Sequence, residues 1–285
     1  MRRIRTIVRI LTGATVLAGG MVLFGPAAQA DTIPVACSET ALVAAVDLAN
    51  STAARDTLVL ASGCTYSMTS GHGSLANGQD ALPVITTPME LMGPATVTRA
   101  SAEPFRIAEV ATTGNLTLST NVAFTNGSAV GDGGAILNYG AVTLTTSSLR
   151  GNSATGNGGG LANADTPNGT APAATFTRSP VTGNTALLSG GGIYNGLRGT
   201  LTTSGVSGSP LVVDGNTAVA DGGGIAAVSP TATTLTWTTV TENVGILGGG
   251  VYREGGTMTT TDTAISANTP NNCTGSVPAV PNCTG

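Results

Sequence analysis

Gly183–Ile193 reads GNTALLSGGGI, and the chain repeats it. Upstream stand TNGSAVGDGGAI at Thr125–Ile136 and GNSATGNGGGL at Gly151–Leu161. Downstream stand GNTAVADGGGI at Gly215–Ile225 and ENVGILGGGV at Glu242–Val251. Asn268 closes the series without its glycines. The asparagines fall at 126, 152, 184, 216, 243 and 268, a period of 25 to 32 residues. Such a period marks stacked supersecondary units, each burying its apolar face against its neighbours.

The distance from each Asn to the next glycine run is 5 to 7 residues, whereas the return to the next Asn takes 19 to 26. One corner of the unit is therefore rigid, and insertions are expected on the opposite side. Within the variable part, Val142–Thr145, Ala174–Thr177 and Leu235–Trp237 alternate apolar residues with Thr. Alternation of period two, rich in β-branched residues, predicts strands with one buried face. Paired hairpins would show two equal strands and an Asn-Gly type turn in every unit, which is not the pattern here. One strand position per period predicts an all-β fold, a parallel β-helix.

Three residues before each Asn stand Ala123, Leu149, Val181, Val213, Val240 and Ile265, read as an inward apolar column. The Asn column itself (Asn126, Asn152, Asn184, Asn216, Asn243, Asn268) is polar at a buried corner, so it must be hydrogen-bonded. Stacked amides can do this as an asparagine ladder. A shorter column follows the glycines at Asn138, Asn163 and Asn195. The glycine runs suit a corner that needs positive φ or close backbone approach. A phosphate loop would need a following helix and a Lys, and neither is present.

The pairing of an apolar-x-x-Asn element with GG-[AG]-apolar resembles the repeat of bacterial right-handed parallel β-helix proteins. It is similar in particular to the polymorphic outer-membrane protein repeat, whose hallmarks are GGA-[ILV] and F-x-x-N. Gly133–Ile136 matches the first hallmark, and Leu, Val or Ile replaces the Phe of the second from Leu149 onward. The resemblance covers about Leu116–Asn268. GCTY at Gly63–Tyr66, LPVIT at Leu82–Thr86 and FRIAEV at Phe105–Val110 extend it toward the N-terminus. It implies a right-handed solenoid on or outside a bacterial cell and leaves the activity open.

Four segments follow. Residues 1–30 read as a signal peptide, with Arg2, Arg3, Arg5 and Arg9, an apolar stretch from Ile10 to Phe24, and Ala28-Gln29-Ala30 as the cleavage site. Residues 31–115 hold an N-terminal cap and irregular first coils, 116–270 the regular repeats, and 271–285 a closed tail. A helix is expected within Asp31–Asn50, capped by Ser38 and burying Leu42, Val43, Val46 and Ala49. Strands are expected at Asp56–Leu60, Cys64–Met68, Pro83–Met92, Ala95–Arg99 and Phe105–Val110.

Four of the eleven basic residues lie in the leader, and the remaining seven, all Arg, face fifteen acids. A net charge of about −8 argues against nucleic acid or an anionic membrane surface as partner. No stretch of the mature chain is long and apolar enough for a membrane span. Cys37, Cys64, Cys273 and Cys283 in an exported chain read as two disulfides, expected as the local pairs Cys37–Cys64 and Cys273–Cys283. No C-x-x-C spacing supports a metal site, and no cofactor is expected.

Parallel β-helices also carry polysaccharide lyases and hydrolases, so acids and bases matter. Asp132 and Asp221 each precede a glycine run but lie three periods apart, roughly 14 Å at strand spacing. Asp214 and Glu242 fall in neighbouring columns, and His72 sits in a Ser/Gly loop, read as solvated. None of these converges as general acid–base chemistry requires. The ordered polar feature is a double column of outward hydroxyls: Thr117 and Ser119, Thr143 and Thr145, Thr175 and Thr177, Ser207 and Ser209, Thr234 and Thr236, Thr259 and Thr261. Leu201-Thr202-Thr203 is a rival to the Ser207 pair. Thr is favoured on any solvated strand, and a repeating face can also bind. The reading is a secreted, adhesion-type binding module without catalysis, with a glycan or cell-surface ligand as partner. Alternatives are a carbohydrate-active enzyme and an ice- or crystal-binding face.

Overall fold

A computed structural model describes residues 29–73, 76–164 and 169–285. The expected signal peptide at 1–30 lies outside them but for its last two residues. The chain winds as a right-handed parallel β-helix, in which every pairing between strands is parallel. Nine strands form the first face, from Thr32–Val35 through Ala141–Thr145 to Thr257–Thr261. Eight form the second, from Cys64–Met68 through Ser148–Arg150 to Ala264–Ser266. Six form the third, from Ala108–Val110 to Val251–Glu254. Four two-residue strands, Ser128–Ala129, Ser153–Ala154, Thr185–Ala186 and Thr217–Ala218, line the corner between the second and third faces.

Alternation decides which side of each strand is buried. In Ala141–Thr145, Val142 and Leu144 point inward while Thr143 and Thr145 stay half-exposed. The inward columns stack like on like across coils, as in Leu118, Leu144 and Phe176. Three inward positions of the first face are Thr rather than aliphatic. The Thr203 hydroxyl lies 2.8 Å from that of Thr238, Thr233 accepts from Asn195 at 2.9 Å, and Thr260 donates to the Pro281 carbonyl at 2.8 Å. Each buried hydroxyl is thus partnered, which removes most of the cost of placing it there.

The first and second faces meet at a tight turn with a recurring chemistry. Thr146, Arg178, Trp237 and Asp262 all take positive φ, 46° to 48°. Left-handed backbone is unfavourable for such residues, and the stack holds them there. Thr146 N–H donates to Thr177 O at 3.0 Å, and Arg178 N–H to Ser204 O at 2.8 Å. The next residue, Ser147, Ser179, Thr238 or Thr263, turns its hydroxyl back to the carbonyl two residues earlier at 2.9–3.1 Å.

The ladder runs Asn152, Asn184, Asn216, Asn243, Asn268. Each Nδ2 donates to the next Oδ1 at 2.9–3.0 Å, and Asn268 passes the bond to Asn272 at 3.1 Å. Each Oδ1 also accepts the backbone N–H of the preceding Asn, so both hydrogen-bonding ends of every amide are used. Asn126 is not a member. It is exposed, has φ 57°, and donates to Thr98 Oγ1. It occupies the left-handed position held in later coils by Gly151, Gly183, Gly215, Glu242 and Ala267. Gly127 takes the ladder position, its N–H donating to Asn152 Oδ1 at 2.9 Å. The inward partner of Leu149 is accordingly Phe124, not Ala123. The second column is also bonded: Asn138 to Asn163 at 2.6 Å and Asn163 to Asn195 at 2.9 Å.

Insertions lie at two corners rather than one. One falls between the strand Leu161–Asn163 of the third face and Ala173–Thr177 of the first; the other is Gly205–Pro210, between the first and second. Both ends of the solenoid are covered. The helix Glu39–Asn50, capped by Ser38, lays Leu42, Ala45, Val46 and Ala49 on the first coils, with Val43 only half-buried. Ahead of it, Thr32–Val35 pairs with Thr57–Leu60, a strand that periodicity did not foresee. At the other end Val277 pairs with Glu254, and Asn282 donates to Thr260 O at 3.1 Å. Disulfides Cys37–Cys64 and Cys273–Cys283 fasten the two covers.

Candidate functional site

On the first face two outward columns keep register from coil to coil. One runs Thr117, Thr143, Thr175, Thr202, Thr234, Thr259, and the other Ser119, Thr145, Thr177, Ser204, Thr236, Thr261. Ser207 and Ser209 are absent from it. They lie in the Gly205–Pro210 insertion, and Thr202 and Ser204 hold the register positions instead. At its N-terminal end the array is occluded: Arg55 donates to Thr117 at 2.7 Å and lies 3.6 Å from Glu90, which accepts from Ser119 at 2.6 Å. From Thr143 to Thr261 the two columns carry no titratable group. Hydroxyls and methyls repeat about every 4.8 Å along the axis and about 7 Å across it.

Around the turn lies a groove of about 640 Å³ that no repeat motif signals. Its floor is the outward column of small residues on the second face: Thr96, Ala123, Ser148 and Pro180. Its wall is the turn column, with Thr146 and Arg178, and Arg150 stands on the opposite side of the floor. The Gly205–Pro210 insertion closes one end through Ser209.

The acids noted in the sequence are structural or scattered. Asp132 caps the next coil, accepting Asn157 N–H at 2.6 Å, and Asp221 does the same for Leu247 N–H at 3.1 Å. Asp214 pairs in register with Thr241, and Glu242 takes the left-handed position beyond it. His72 is not merely solvated. Its Nε2 lies 2.9 Å from Glu39 Oε1, and Thr69 and Ser70 donate to the same carboxylate. Burial of Glu39 would raise its carboxyl, but the bonds from Thr69, His72 and Ser70 prevail and hold it at about 2. This pins the loop to the first turn of the helix.

One titratable cluster escaped sequence reading because it sits in the irregular coils, where no column aligns it. Arg106 is fully buried, 2.7 Å from Asp80 and 3.6 Å from Glu109. Burial pushes the Asp80 carboxyl up to about 7 against the pull of Arg106, with Glu109 adding to the rise. Asp80 Oδ2, Arg106 Nε and Glu109 Oε2 have no hydrogen-bond partner. Asp80 is wholly enclosed, so a proton held there cannot reach a polysaccharide on the surface. Among the described residues no group of three His, Cys, Asp or Glu could hold a metal ion, and no helix is long and apolar enough to cross a membrane.

The geometry defines a disulfide-fastened parallel β-helix with a hydroxyl face and an adjoining groove. Compared with known proteins, the chain matches no family model, no curated protein and no solved structure.

Proposed function

We propose that this is a secreted extracellular binding module that holds an extended ligand, a glycan or cell-surface polymer, along its first face without cleaving it. The observation that carries this reading is the register of Thr143, Thr175, Thr202, Thr234 and Thr259 over five consecutive strands. Catalysis needs groups that converge, whereas this face offers groups that repeat. Many weak, similar contacts add along a solenoid to useful avidity. The leader at 1–30, the two disulfides and the resemblance to polymorphic outer-membrane repeats support an extracellular setting.

The test is binding of the mature chain to a glycan array and to insoluble polysaccharides. Thr143→Glu combined with Thr234→Glu, three strands apart on one column, should remove binding while the melting temperature holds. Retained binding overturns the assignment to this face. Release of unsaturated or reducing sugar ends would establish a lyase or hydrolase instead, and thermal hysteresis an ice-binding face.

A further inference from the structure

The chain has no Lys, and most of the seven arginines among the described residues are committed. Arg55 pairs with Glu90, Arg106 with Asp80 and Glu109, Arg99 with the Asn126 carbonyl, and Arg253 with the carbonyls of Gly255 and Ala279. Arg150 and Arg178 differ. Both are exposed, and neither guanidinium bonds to another described residue. Among the described residues an unpaired guanidinium is the exception, and both exceptions line the same groove.

Their placement follows from the coil geometry. Arg150 points outward from the second face, in register with Thr125 and Thr182. Arg178 belongs to the next coil and stands at the turn, where positive φ and the bond to Ser204 O fix its backbone. Ser148 and Pro180 lie between them as floor. Among the described residues no Asp or Glu lines the groove. From Cys64 to Ser209 it crosses six coils, roughly 24 Å at strand spacing, too long for a single sugar and open enough for a chain of them. Guanidinium forks suit anionic oxygens in bidentate geometry, and a floor of Thr, Ala, Ser and Pro lets a sugar ring lie close.

We propose that this groove is a second binding site, distinct from the hydroxyl face, and that it takes a linear anionic polysaccharide whose carboxylate or sulfate groups are held by Arg150 and Arg178. The proposal goes beyond the hydroxyl-face reading and does not depend on it. The two faces share only the turn between them.

The experiment is calorimetric titration of the mature, disulfide-intact chain with three hexasaccharides: an oligouronate, a sulfated glycan and a neutral glycan. One or both anionic probes should bind, the responder identifying the anionic group. The neutral probe should not. Affinity should fall at least tenfold when salt rises from about 0.05 to 0.5 M, as screening requires. Arg150→Gln or Arg178→Gln should each weaken binding about tenfold, and the double variant should abolish it at an unchanged melting temperature. Thr143→Glu with Thr234→Glu should leave this binding intact, which separates failure of one site from failure of the other. Binding of neither anionic probe, equal binding of the neutral one, or full affinity in the double Arg variant would overturn the proposal.

Discussion

The side-chain amide of Asn184 donates to the Asn216 carbonyl oxygen at 2.9 Å, and the same oxygen accepts the Asn184 backbone N–H at 2.9 Å. One acceptor therefore closes both the side chain and the main chain of the coil before it, and a substitution costs both.

Asn184→Ala should lower stability by about 1–3 kcal/mol, the range for leaving buried partners unpaired. Asn126→Gly is the matched control, because it keeps positive φ and lies outside the ladder. Its change should be within about 0.5 kcal/mol, as for other exposed positions. Chemical denaturation of both variants checks this, and equal losses would refute the unequal roles of the two residues.

The Glu39 clamp makes a pH prediction. Its folded carboxyl titrates at about 2, below the ordinary 4.5, so its stabilisation is present above 4.5 and is lost as pH falls toward 2. Glu39→Gln should therefore melt below the parent at pH 6, and the two curves should converge near pH 2. Parallel curves across that range would show that the carboxylate contributes no pH-dependent stability.

The buried cluster gives a larger effect. Arg106→Met leaves Asp80 and Glu109 enclosed without their cation and should cost about 3–5 kcal/mol. Adding Asp80→Asn should recover part of that loss, measured by urea denaturation. In the parent, Asp80 favours the folded state most at low pH, and its contribution weakens as pH rises from 3.8 toward 7.

Reading of the sequence succeeded where type and spacing sufficed. The helix with its Ser38 cap, the strands Asp56–Leu60, Cys64–Met68 and Ala95–Arg99, and both cysteine pairings depend on local pattern. Asn126 was misplaced because a slip of one residue moves a side chain to the other face while the Asn-to-glycine spacing barely changes. Thr32–Val35 was missed because it is only four residues long and carries Pro34, which argues against a strand. The Arg150–Arg178 groove was illegible for another reason. The two residues occupy different columns, and only the turn geometry, with Arg178 in left-handed backbone, brings them to one cleft. The turn had left a trace: TTS at 145–147, TRS at 177–179, TWT at 236–238 and TDT at 261–263.

The disulfides should contribute unequally. Cys37 and Cys64 are 27 residues apart, and Cys273 and Cys283 are 10. Within about 2–4 kcal/mol for each, the longer loop should stabilise more. Paired Cys→Ser variants compared by melting temperature test this, and a larger drop for the tail pair would count against loop length as the cause.

The tail that lies over Val251–Glu254 and Thr257–Thr261 also stops growth. Every coil presents unpaired strand edges to the next, and beneath Val277 and Asn282 those edges are ready for another chain. A chain cut before Asn271 would carry a naked end made of the same parallel rungs that amyloid fibrils stack. Such a fragment should join a second copy, naked end to naked end, into a dimer seen by size-exclusion chromatography, and growth should stop there because the helix Glu39–Asn50 still covers the other end, so the tail keeps the particle single as much as it stabilises it.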